Sequence, residues 1–202
     1  MNGKEFSEII RSRRSIRRFD GREVPPELIA YIIDTAASAP SAGGRNDREF
    51  IAVTSSKIKN EMLVATKEAW DDALKNCDTD AILDALSEYR GNFEWFAEAP
   101  VVVAVTCKKI PLFMSQMFKE KARTITGSAA SALMAAENLL LAAHSSGLAG
   151  CCLTGPLAAA DKLAALIKTD RRHEIVCLVA LGYGIYDTTE APERSKAKMR
   201  IL

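Results

Sequence analysis

Pro100-Val101-Val102-Val103-Ala104-Val105-Thr106 is the clearest strand in the chain. It is rich in β-branched residues and shows no polar–apolar alternation, so both faces must be covered and the strand should be central in its sheet. Ile175-Val176-Cys177-Leu178-Val179-Ala180-Leu181 reads the same way and stops at Gly182-Tyr183-Gly184. Between the two, from about 124 to 146, lies the longest expected helix. Ala129, Ala132, Leu133, Ala136, Leu140 and Ala143 share one face, and Leu139 and Leu141 widen it. So much alanine implies close packing, and an apolar surface nearly all round implies burial, often at a subunit interface. Gly147 is a helix stop, and Leu148-Ala149-Gly150-Cys151-Cys152-Leu153 reads as a turn into a short strand.

Outward from this core, Phe6, Ile9 and Ile10 fall at helical spacing over 4–12. Pro26 suits the first turn of a second helix, whose stripe is Leu28, Ile29, Ile32, Ile33, Ala36 and Ala37, and Pro40 ends it. A loop over 39–46 contains Gly43-Gly44, where a backbone can approach a ligand closely. A short buried strand is expected at 50–54. Ser55 and Ser56 can cap a helix over 57–75. Ile82, Leu83 and Leu86 indicate another helix, and Phe93, Trp95 and Phe96 form an aromatic group open to core packing, a lid or substrate contact. A helix is expected at 158–168. Residues 108–123 carry no regular pattern, and the tail from 187 is polar.

A length of 202 residues favours one domain spanning 1–202. The 27 basic and 26 acidic residues leave no global field to hold nucleic acid or an anionic membrane. No apolar run reaches the roughly 18 residues of a membrane span, and the charged N-terminus lacks the apolar core of a signal peptide. The cysteines, at 77, 107, 151, 152 and 177, are odd in number and without a CxxC pair. A reduced, cytoplasmic setting therefore fits better than a disulfide framework. With only His144 and His173 beside them, no metal site is expected.

Against this balanced charge, Arg13-Arg14-Ser15-Ile16-Arg17-Arg18 places four arginines and a hydroxyl in six residues. Arginine offers a rigid fork of donors that matches phosphate oxygens, and serine adds a short donor. The segment reads as an anion site for a phosphorylated cofactor, or alternatively as a solvated or nucleic-acid-binding face.

Taken in order, several stretches resemble the FMN-dependent nitroreductase family. They are Arg13-Arg14-Ser15-Ile16-Arg17-Arg18-Phe19, Ala36-Ala37-Ser38-Ala39-Pro40-Ser41-Ala42-Gly43-Gly44, Glu98-Ala99-Pro100-Val101-Val102-Val103, Glu137-Asn138-Leu139-Leu140-Leu141-Ala142-Ala143, Gly147-Leu148-Ala149-Gly150 and Leu181-Gly182-Tyr183. The resemblance implies an α+β fold: a mixed sheet surrounded by helices, a long Ala-rich central helix, and an interlocked homodimer with FMN at the subunit interface. It implies ping-pong chemistry, in which NAD(P)H is the transient electron donor and a nitroaromatic, quinone or similar small molecule is the acceptor.

By the same resemblance Arg13, Arg14, Ser15 and Arg17 are cofactor-binding residues. Arg13 would face phosphate and ribityl. Arg17 would lie near the pyrimidine edge as the catalytic cation, stabilising negative charge as hydride arrives. Pro40, Ser41, Ala42 and Gly43 would be laid against the flavin by the partner subunit. Leu148, Ala149 and Gly150 would offer backbone groups near the ring. Arg194 and Lys196 match a C-terminal phosphate-binding pair, or form a solvated tail. Asn138 is either a core amide or a ligand. Where the family has Gln-Pro-Trp, this chain has Asn46-Asp47-Arg48. Asn46 can still offer a carboxamide, on a shorter arm, while the loop's rigidity and charge change. Ser131 stands where many relatives have an aspartate. The alternatives are a specialised member such as a dehydrogenase or dehalogenase, a flavin-sequestering protein without efficient NAD(P)H turnover, and a nucleic-acid binder.

Overall fold

The structure, a computed structural model, describes residues 2–76, 80–109, 126–186 and 198–200. In chain order the elements are α1 (Gly3–Ser12), α2 (Pro26–Ala37), β1 (Arg48–Val53), α3 (Ser56–Lys75), α4 (Asp80–Gly91), β2 (Val101–Lys108), α5 (Gly127–Ser145), β3 (Ala149–Leu153), α6 (Ala160–Leu166) and β4 (His173–Gly182). Short 3-10 turns lie at Ala42–Gly44, Glu94–Glu98 and Gly155–Ala159.

Local chemistry sets the boundaries. Asn2 closes a capping box on α1: its side chain accepts from the Lys4 and Glu5 amides, and Glu5 accepts from the Asn2 amide at 2.8 Å. Pro26 starts α2, Ser55 caps α3 and Thr126 caps α5, its hydroxyl accepting from the Ala129 amide at 3.0 Å. Gly147 ends α5 at φ +80°, a conformation costly for any residue with a Cβ, and lets the Leu148 amide donate back to the Ala143 carbonyl at 2.9 Å.

The sheet order is β1-β2-β4-β3, with every strand pair antiparallel. The parallel pairing among the described residues is the isolated bridge between Ser15 and Gly150. β2 and β4 are the two central strands, as their unbroken apolar runs require. Val101, Val103, Val105 and Cys107 point to one face, where Ile29, Ile32 and Ala36 of α2 and Ala132, Ala136, Leu139 and Ala143 of α5 cover them. Val102 and Ala104 point to the other, under Met62 and Ala65 of α3, Phe96, and Leu163 of α6. Helices on both faces explain why neither strand alternates. Alanine at 132, 135, 136, 142 and 143 lets α5 lie close on the sheet.

Two expectations change. β1 starts at Arg48, two residues earlier than the apolar run suggests, with Arg48 opposite Cys107 and Glu49 opposite Thr106. It is an edge strand in which only Val53 is buried, so polar side chains are tolerated there. The helix expected at 158–168 is shortened to α6, because Gly155 and Pro156 wind the preceding residues into a 3-10 turn. The aromatic group resolves as core: Phe93 and Phe96 are buried, and Trp70, Tyr89 and Phe93 have ring centroids 5.4–5.7 Å apart. Among the described residues no helix is long and apolar enough to cross a membrane, and no cluster of side chains could hold a metal ion.

Candidate functional site

The arginine segment leaves α1 with the Arg13 amide still bonded to the Ile9 carbonyl at 3.2 Å, then runs extended along the free edge of β3. The Ile16 amide donates to the Gly150 carbonyl at 3.2 Å. Beyond it, the Asp20 amide donates to the Tyr183 carbonyl at 3.0 Å, and the Ile185 amide donates to the Arg18 carbonyl at 2.9 Å. Main-chain bonds thus stitch residues 15–20 between β3 and the chain leaving β4. Packing of β3 on β4 and α5 requires glycine at its centre: a Cβ on Gly150 would stand 2.7 Å from Leu181, 3.0 Å from Leu140 and 3.1 Å from the Ala180 carbonyl.

An extended backbone sends alternate side chains to opposite sides, so Ser15 and Arg17 share one. Both are exposed, and among the described residues Arg17 makes one long bond of 3.4 Å from Nη1 to the Ser15 carbonyl. Arg13 is 19% exposed, and its Nε lies 3.6 Å from Glu137 Oε1 on α5. Arg14 turns back instead: its Nη1 donates to the Arg11 carbonyl at 2.6 Å and the Arg13 carbonyl at 3.0 Å, capping the end of α1. His144, at the end of α5, bonds the Ser12 hydroxyl at 2.8 Å. Burial, then the charge on Arg13, holds its pKa below the usual imidazole value. Burial likewise raises the Cys151 thiol, partly offset by Arg17 and by a bond to Ser15.

Leu148 and Ala149 are buried in the core, so only their backbone is offered to a site. The Gly150 carbonyl is already taken by Ile16.

A second group forms around 39–48. The Ala42 amide donates to Ser131 Oγ at 2.9 Å, and that hydroxyl donates to the Gly127 carbonyl at 2.6 Å. The Gly44 amide bonds the Ser41 carbonyl, and the Asn46 amide bonds Ser41 Oγ at 2.7 Å. Gly43, Gly44 and Asn46 take positive φ of 64°, 67° and 50°, a conformation open to glycine and tolerated by asparagine. At the centre sits Arg48, which in sequence is a departure from the family motif and is not among the residues expected to bind the cofactor. Its guanidinium donates to the carbonyls of Ala37, Ala39, Pro40 and Ser131 and to Asn46 Oδ1, at 2.9–3.3 Å.

Both groups rest on α5, one at Ser131 and the other at Glu137. Six residues separate these positions by about 9 Å along the helix and about a third of a turn around it. Asn138 is half-buried on α5. Arg194 and Lys196 lie outside the described residues. On the α3–α6 side of the sheet a groove of about 730 Å³ is lined by Val64, Ala65 and Leu166 with charged residues at its rim, away from both groups.

Fold and site together define an α+β protein that presents guanidinium and hydroxyl donors beside the edge of a sheet, a donor set suited to an anionic ligand. The chain belongs to the Nitroreductase family, whose model matches residues 10–183. It is 30% identical over 183 residues to a Methanothermobacter thermautotrophicus protein named for NADH dehydrogenase/NAD(P)H nitroreductase, covering 87% of this chain and 75% of that one. It is 26% identical over 205 residues to mouse (Mus musculus) iodotyrosine deiodinase 1, covering 100% of this chain and 70% of the relative. A Bacteroides fragilis nitroreductase crystallised with bound FMN superposes with a TM-score of 0.76 at 22% identity, over 100% of this chain and 99% of that one, a likeness of fold.

Proposed function

We propose that this chain is an FMN-dependent oxidoreductase that takes electrons from NAD(P)H and delivers them to a small oxidised acceptor, by a ping-pong scheme, as a single flavin-binding domain over 1–202. The observation that carries the reading is the extended arginine segment stitched to Gly150, which leaves Ser15 and Arg17 exposed and Arg13 half-buried. These residues fit FMN, which brings a phosphate dianion and a ring rich in carbonyl acceptors.

When bound, FMN supplies the hydride-accepting and electron-donating chemistry; the chain supplies position and charge. Arg13 would hold the phosphate and ribityl in place of its contact with Glu137. Arg17 would supply a cation to stabilise negative charge on the ring. The backbone of Leu148–Gly150 would line the site, and Arg194 and Lys196, outside the described residues, would add phosphate contacts. Arg14 contributes by fixing the end of α1.

Residues Pro40, Ser41, Ala42, Gly43 and Asn46 reach the cofactor from the partner subunit of a homodimer. Support for that assembly comes from unburied apolar surface. α1 has no buried residue, although Phe6 and Ile10 are 48% and 37% exposed, and Leu133 and Met134 stand out from α5 at 37% and 43%.

The test is a visible spectrum of the purified protein, supplemented with FMN where needed, followed by anaerobic NADPH and then NADH. Flavin bands that bleach with either nucleotide are the expected result. Bands that bleach only with dithionite would point to flavin storage. Failure to take up FMN would remove the cofactor.

A second reading, a dehalogenase, is favoured by the match to iodotyrosine deiodinase 1, which covers 100% of this chain and 70% of the relative. Turnover of nitroaromatics, quinones and halogenated phenols side by side separates the two.

A further inference from the structure

Arginine carries five N–H donors and no acceptor, so whatever atom it holds must be an oxygen or another acceptor. The Asn46 side chain meets Arg48 Nη2 at 2.9 Å and Nε at 3.3 Å. That chemistry identifies the inward atom as Oδ1 and turns Nδ2 away from the arginine. The fork is itself immobilised. Nη2 donates to the carbonyls of Ala37 at 3.1 Å and Ala39 at 2.9 Å, and Nη1 to those of Pro40 at 3.2 Å and Ser131 at 3.1 Å. Three pieces of chain are thereby tied to one side chain: the end of α2, the glycine loop and α5. The Asn46 backbone is fixed as well, at φ +50° with its amide on Ser41 Oγ. The residue nonetheless remains exposed.

We infer that Arg48 is a positioning residue for the cofactor-facing loop: it holds the oxygen of the Asn46 carboxamide and presents Nδ2 as an oriented hydrogen-bond donor. This rests on the FMN reading above. A fixed donor selects an acceptor on the ligand, a ring carbonyl or ring nitrogen, and rejects an N–H. None of the five acceptors around Arg48 is a carboxylate, so its charge is left to polarise the amide and strengthen the donor. A donor aimed at an acceptor whose negative charge grows on reduction raises the cofactor's midpoint potential. Lysine cannot substitute, because a single ammonium cannot span five acceptors.

The experiment compares the wild type, Arg48→Lys, Asn46→Ala and the double variant. Each is titrated with FMN by fluorescence, and the midpoint potential of the bound flavin is measured. Each single variant should raise Kd about tenfold, the loss of one well-oriented bond, and lower the potential. The double variant should match Asn46→Ala, since Arg48 acts through Asn46. Additive shifts would overturn the inference, as would wild-type Kd and potential in Arg48→Lys alongside a lowered melting temperature. A silent Asn46→Ala would do the same.

Should Arg48→Lys fail to fold, Asn46→Asp decides. Its carboxylate keeps the grip of Arg48 but shows the ligand an acceptor, so Kd should rise more than in Asn46→Ala and the potential should fall further. An Asn46→Asp protein indistinguishable from wild type would sink the proposal. A wild type that takes up no FMN refutes the cofactor reading, and this inference with it. A wild type that binds FMN while every variant matches it refutes this inference alone.

Discussion

The arginine segment and the glycine loop use the same side chain in opposite ways. Residues 15–20 are held by main-chain bonds to Gly150 and Tyr183, with Ile185 bonding back to Arg18, so the Arg17 side chain remains exposed at the surface. Residues 39–46, with positive φ at Gly43, Gly44 and Asn46, join no strand ladder. The carbonyls of Ala37, Ala39 and Pro40 are met instead by the side chain of Arg48. One region uses its backbone for structure and leaves its guanidinium exposed; the other uses its guanidinium for structure. On the function proposed above, what separates a binding arginine from a structural one is whether the neighbouring backbone is already paired.

If that distinction is right, removing the structural arginine does the most damage. Arg48→Met keeps the length of the side chain but strands half-buried carbonyls of Ala37 and Ala39 at the end of α2. A loss of about 3 kcal/mol in stability is expected, since an unsatisfied buried group costs roughly 1–3 kcal/mol. Urea unfolding of the protein without cofactor measures it. A change below about 0.5 kcal/mol, the usual size for a surface substitution, would erase the contrast between the two regions.

Arg17→Ala is the opposite case. The side chain is exposed and makes one long bond, so stability should change by no more than about 0.5 kcal/mol. FMN affinity should fall by about 2 kcal/mol, the value of a hydrogen bond to a charged group, and reduction by NAD(P)H should slow. Melting curves and flavin titrations on one preparation test both halves. Lost stability with retained affinity would exchange the roles of the two arginines.

Which parts of this were legible beforehand follows from the range of the interactions. β2, β4 and α5 announce themselves because burial on every side leaves an unbroken apolar run or a stripe of alanine, both local signals. The arginine segment was legible because its density stands out against near-zero net charge. The extent of β1 was not, since Arg48 and Glu49 join the strand only by pairing with Cys107 and Thr106, more than fifty residues away. Arg48 was illegible as a clamp for the same reason. One acceptor, Ser131, is 83 positions distant, and nothing local says that four carbonyls will converge on a single guanidinium. The role of Arg14 was hidden differently: within a run of four arginines, only the geometry of the α1 terminus decides which one caps the helix.

The smallest effect gives the sharpest test of which region meets the ligand's phosphate. The chain has two histidines, one for each end of the comparison. His144 lies against Ser12 near Arg13, while His173 sits at the start of β4 against Thr106 and Glu49. Burial and the Arg13 charge hold the His144 pKa below 6.5, so between its folded value and 6.5 the unfolded chain binds more protons than the folded one. Stability from this group is therefore fully present above 6.5 and is lost as pH falls through the folded value. A phosphate bound at Arg13 would offset the charge that helps to depress His144, and its pKa should move upward toward 6.5. The burial contribution, the larger of the two causes, stays, so the pKa should remain below 6.5 even with the ligand bound. Imidazole NMR titrations of His144 with and without FMN read it directly, and a His144 that does not respond to the ligand would take the phosphate away from Arg13.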